Sequence, residues 1–133
     1  MTPVKAAFVL VILVVLIAVA SCAETGRPGL DSWAADWEDL TRTLPTVDQL
    51  GTPPDRDLCA HALGEIREAQ ADLLPTPDIS LDPVVQEWFT VAEDALFECP
   101  PSSSQFPDLG YAYQVLTRLE AEVDAALALA DAP

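Results

Sequence analysis

His61 is the single histidine of this 133-residue chain, and Glu65, Glu68 and Asp72 follow it at the three- and four-residue spacing that lines one helix face. An imidazole and three carboxylates so arranged could weakly hold a divalent cation, with no second histidine to complete a multi-histidine site. The same spacing opposite an apolar stripe describes a solvated helix face, and that is the expected state of these four residues. Asp78, Ser80 and Asp82 begin like a calcium loop. Pro83, however, stands where that loop needs glycine and Phe89 where it needs glutamate. A di-iron bundle site requires Glu-x-x-His twice, which one histidine cannot supply. Ser102, Ser103 and Ser104 would offer a hydroxyl nucleophile only if their loop approached His61. A hydrolase using His61 is therefore the weakest functional reading, and no catalytic residue or metal ligand is assigned. No cofactor is expected either: Gly26, Gly29, Gly51, Gly64 and Gly110 are scattered rather than clustered before a helix.

The aromatic residues offer binding rather than catalysis. Trp33 and Trp37 share one helix face, while Trp88, Phe89, Phe97, Tyr111 and Tyr113 crowd the later segments. A small bundle buries its largest side chains first, so core packing is the main expectation. At 100° per residue, Trp88 and Phe89 diverge by about 100° and Tyr111 and Tyr113 by about 200°, so the four are not expected to share one core. They are the candidates for an apolar groove that takes a lipid, an apolar ligand or a partner helix.

Helical segments must position these groups. Trp33, Trp37, Leu40 and Leu44 follow helical spacing after a cap at Asp31 or Ser32, and Pro45 stops them. Thr46 to Leu50 can add one turn ended by Gly51. Thr52, Pro53 and Asp55 resemble a helix start, with the stripe Leu58, Ala62, Ile66, Ala69 and Leu73 behind it and Pro75 and Pro77 after it. Asp82 and Pro83 read as the next cap and first turn, leading Val85, Trp88, Ala92, Ala95 and Cys99. Leu109, Ala112, Leu116, Leu119, Val123, Ala126 and Ala130 give the last and most regular helix. No alternating strand pattern occurs. The expected fold is all-α, a small antiparallel bundle of three to four helices.

Upstream of this domain the chain changes character. Ala6 to Ala20 is a 15-residue apolar run behind Lys5, and no acidic residue precedes Glu24. A membrane-spanning helix needs about 20 apolar residues, so the run has the length of an export signal rather than of an uncleaved span. Val19, Ala20, Ser21 and Cys22 close it and resemble the lipobox of bacterial lipoprotein precursors, although Val19 and Ser21 replace the commoner leucine and glycine or alanine. The resemblance covers residues 1–22, and no family is recognised for the rest. It implies a signal peptide over 1–21 and a diacylglyceryl group on the Cys22 sulfur, with Cys22 as the mature N-terminus. The mature protein would be held by a palmitate-type lipid anchor on the extracytoplasmic face of the cell membrane. Residues 22–30 would form a flexible tether and 31–133 the folded domain.

Loss of residues 1–21 removes Lys5 and leaves five arginines against 22 carboxylates, a net charge of −17. Such a chain repels nucleic acid, which is excluded as a partner. With Cys22 lipidated, Cys59 and Cys99 remain as an even pair in an exported protein and are expected to form a disulfide. An antiparallel hairpin supports this: about 22 Å of helix from Cys59 to its end and about 24 Å back to Cys99 bring the two sulfurs level. The function expected from all this is a non-catalytic binding module tethered to the membrane, with an envelope protein as partner. The alternative is a carrier of a lipid or other small apolar ligand.

Overall fold

The structure, a computed structural model, describes residues 26–103 and 105–132. Five helices account for most of them: α1 (Leu30–Thr43), α2 (Val47–Leu50), α3 (Arg56–Leu73), α4 (Asp82–Glu98) and α5 (Leu109–Ala130). Helix α3 packs on α4, α4 on α5 and α1 on α3, while the single turn of α2 touches α5. The four long helices run up, down, up and down, so the bundle has two distinct poles. At one, α1 and α4 begin and α3 and α5 end. At the other, α3 and α5 begin, α1 and α4 end, and α2 makes the crossing.

The disulfide marks the second pole. Cys59, in the first turn of α3, is bonded to Cys99, which caps α4, across a Cα separation of 6.4 Å. Both cysteines are buried. The helical arithmetic that levels them in sequence therefore describes the fold.

Local chemistry explains most helix boundaries. Thr46 and Gln49 form a reciprocal capping box at α2, and Gly51, at φ 95°, ends that turn in a conformation that disfavours other residues. Asp108 accepts the Tyr111 N–H to start α5. Three expected starts are corrected. Helix α1 begins at Leu30 behind Gly29, which makes no side-chain cap, so neither Asp31 nor Ser32 fills that role. Helix α3 begins three residues beyond Pro53, because Asp55 accepts the N–H groups of Asp57 and Leu58 and out-competes Thr52 as cap. Leu81, not Asp82, precedes α4, because the Asp82 carboxylate is engaged outside the helix.

Two core assignments also change. Leu58 is 46 % exposed, and the α3 stripe passes through Cys59, Ala62, Leu63, Ile66 and Leu73. Leu63 takes the inward place because it stands four residues beyond the buried, disulfide-bonded Cys59 and so shares its face. Ala130 is exposed and Ala126 half-buried, since α5 runs on past the helices that could cover its last turn.

Candidate functional site

Three clusters combine polar or aromatic chemistry with defined positions. The first sits at the pole where α3 ends and α4 begins. Arg27 reaches it with both guanidinium nitrogens: Nη1 donates to the Thr76 carbonyl at 2.8 Å and Nη2 to Asp82 Oδ2 at 2.9 Å. Asp82 Oδ1 in turn accepts the Thr76 N–H at 2.9 Å and its hydroxyl at 2.7 Å. Thr76 is wholly buried, so these bonds satisfy a backbone that would otherwise be stranded. Hydrogen bonds from Arg27 and then Thr76 hold the Asp82 carboxyl well below the usual carboxylate range. The assignment of 22–30 as a tether is thereby corrected at its end: Leu30 is helical and Arg27 is fastened to the bundle. Cys22, the signal peptide and the rest of the tether lie outside the described residues.

The second cluster is interior. Trp33 and Trp37 stack at 5.7 Å, Trp37 meets Trp88 edge-on at 5.2 Å, and Trp88 meets Phe89 edge-on at 5.2 Å. All four are buried. Trp88 and Phe89 are both inside because α4 is flanked on two sides, by α3 and by α5, while Tyr111 is exposed and Tyr113 half-buried, so the four do not share one core, as expected. The candidate groove of Trp88, Phe89, Tyr111 and Tyr113 does not exist as a unit. Trp33 Nε1 donates to the Leu73 carbonyl at 2.9 Å, one of the oxygens left free at the end of α3. Trp88 Nε1 donates to Glu120 Oε1 at 3.0 Å, and the Tyr113 hydroxyl donates to the Pro45 carbonyl. Burial pushes Tyr113 up to about 12, with the nearby Glu120 carboxylate adding to it. Burial also raises Glu120, against the pull of the Trp88 bond, and Asp124 repulsion raises it further.

The third cluster is at the disulfide pole. Asp94, Phe97, Glu98, Pro101, Ser103 and Phe106 surround an open hollow of about 260 Å³. Phe97 is 72 % exposed there, and the Phe106 ring lies 6.5 Å from the half-exposed Tyr111 ring. Of the expected groove residues, Tyr111 alone belongs to this surface. Among the described residues no arginine pairs with Asp94 or Glu98.

The histidine face is solvated. His61 Nε2 lies 3.3 Å from Glu65 Oε1, both side chains are largely exposed, and Glu68 and Asp72 are exposed beside them. Among the described residues no three His, Cys, Asp or Glu side chains converge as metal ligands would. Ser102 donates its backbone N–H to Glu98, which ties the serine loop to α4.

Arg27, Thr76, Phe106 and Glu120 make contacts in these clusters that no motif in the sequence singles out. Glu120 carried a signal, because it follows Leu116 by four and precedes Val123 by three, which puts it on the apolar stripe of α5. Arg27 carried none, since its partners lie 49 and 55 residues away. No protein-family model matches the chain, and no curated protein or solved structure shows significant similarity to it.

Proposed function

We propose that this protein is a non-catalytic binding module of the cell envelope, anchored through a lipid on Cys22 and presenting the disulfide pole of its bundle to another envelope protein. The supporting observation is the placement of two features on opposite poles. The chain that leads back to Cys22 and the apolar run is fastened by Arg27 where α4 begins. The exposed Phe97 lies fifteen residues along α4 from Asp82, the Arg27 partner, about 22 Å away at 1.5 Å per residue. An anchor at one end and an unpaired aromatic surface at the other is the arrangement a tethered adaptor needs. The interior, filled by tryptophans, favours this reading over a carrier with a ligand between its helices.

The test is site-specific crosslinking in intact cells. A photoreactive residue at position 97 should give a discrete protein adduct absent from the same residue at position 65 on the solvated face. Identical diffuse backgrounds from both positions would reject the proposal.

A further inference from the structure

We infer that the anchor pole of the bundle rests on the lipid surface itself, with Ile79 and Leu129 as its contact side chains. This inference rests on the reading of residues 1–22 as a membrane anchor. Ile79, in the connection from α3 to α4, is 73 % exposed, and Leu129, in the last turn of α5, is 78 % exposed. They are the two most exposed of the large aliphatic side chains among the described residues. Both lie at the pole where Arg27 is fastened.

Register supports their projection. The Trp88–Glu120 bond sets α4 and α5 level at those residues. From there Asp82 lies six residues toward the pole and Leu129 nine, so Leu129 stands about 4 Å farther out. Ile79 belongs to the connection that turns outside Asp82, three residues from the Thr76 carbonyl that holds Arg27. Chain length supplies the rest of the argument. Cys22 precedes Arg27 by five residues, which span at most about 17 Å fully extended. A lipid on Cys22, or an uncleaved span ending beside it, therefore keeps this pole within that distance of the bilayer. At such range the effective concentration of surface is high, and two aliphatic side chains suffice for a contact that would be negligible from solution. The occupant is a zwitterionic rather than an anionic surface, because Asp78 and Asp82 lie beside Arg27, the cation at this end, and the domain carries a large net negative charge.

The full chain, reconstituted in phosphatidylcholine vesicles with and without brominated acyl chains, tests this by tryptophan quenching. Trp33, Trp37 and Trp88 are buried and give a constant background. Ile79→Trp and Leu129→Trp should each lose about a quarter of the total emission on brominated lipid, one tryptophan in four. Phe97→Trp, at the far pole, should lose none. Vesicles rich in anionic lipid should quench Ile79→Trp less at low salt, and the difference should shrink at high salt. Protein that floats with the vesicles yet shows no quenching at 79 and 129, or equal quenching at 97, overturns the contact alone. Protein that does not float with the vesicles overturns the anchor as well.

Discussion

Trp88 donates its indole N–H to Glu120 Oε1 at 3.0 Å, placing a carboxylate on the apolar stripe of α5 to serve a wholly buried tryptophan. A buried donor without an acceptor costs more than an ordinary hydrogen bond contributes. Glu120→Ala should therefore destabilise the bundle by about 1–3 kcal/mol in urea unfolding. Glu120→Gln keeps an acceptor oxygen and should not.

Protonation gives the same pair a pH signature. Burial raises the Glu120 carboxyl above its ordinary value of 4.5, so the folded state holds the proton more tightly than the unfolded chain. The associated stability is fully present below that value and is lost as pH rises through the raised one. Glu120→Gln removes this dependence. Its stability relative to the unsubstituted protein should climb as pH rises above 4.5, and a flat difference there would contradict the account.

Asp82 has the opposite sign. Its carboxyl is held low by Arg27 and Thr76, so its contribution is present above the ordinary value of 3.8 and is lost as pH falls below it. Asp82→Ala strands the buried Thr76 N–H, while the Thr76 hydroxyl keeps the Asp78 carbonyl as acceptor, and should cost about 1–3 kcal/mol. Arg27→Ala removes a solvent-screened pair and should cost less global stability than Asp82→Ala. It should nevertheless speed hydrogen exchange at the start of α1, because the chain before Leu30 is no longer held. Equal global losses from both substitutions would show that Arg27 is more than a strap.

The disulfide closes a 41-residue loop, from Cys59 to Cys99. Loop-closure entropy assigns this about 4 kcal/mol as an upper guide. Cys59→Ser should lower the melting temperature by up to about 15–30 °C, at 4–8 °C per kcal/mol for a domain of this size. Adding Cys99→Ser should lower it little further, because the two cysteines act as one bond. Two independent losses would indicate that packing of the sulfurs dominates.

What could be read from the sequence was local. Helix periodicity and proline placement locate four long helices, and helix length alone brings Cys59 level with Cys99. Several features depend instead on distant partners. Asp82 resembles a cap, but Arg27 and Thr76 claim its oxygens, and which of Trp88, Phe89, Tyr111 and Tyr113 are inside depends on α4 having neighbours on two sides. Periodicity supplies a face but not how many helices that face meets. The aromatic surface at Phe97 was hidden for the same reason, since its exposure depends on where the Pro100–Pro107 connection falls.

The exchange of Leu58 for Leu63 in the core of α3 makes that distinction measurable. Leu58 is 46 % exposed and Leu63 is buried among the core side chains. Leu63→Ala should cost about 2–4 kcal/mol, the range for truncating a buried leucine. Leu58→Ser should change stability by no more than about 0.5 kcal/mol, as a surface substitution does. A reversal of the two would mean that the helix face is rotated by 100–200° from the one described.

The anchor proposal has its own decisive substitution. If Cys22 carries the lipid, Cys22→Ala should abolish incorporation of labelled palmitate and leave the precursor with residues 1–21 attached, read by electrophoretic mobility and mass spectrometry. The bundle should melt as before, because Cys59 and Cys99 pair with each other. Lipid labelling that persists in Cys22→Ala would refute the assignment. A melting temperature lowered as far as in Cys59→Ser would instead place Cys22 within the cysteine framework of the fold.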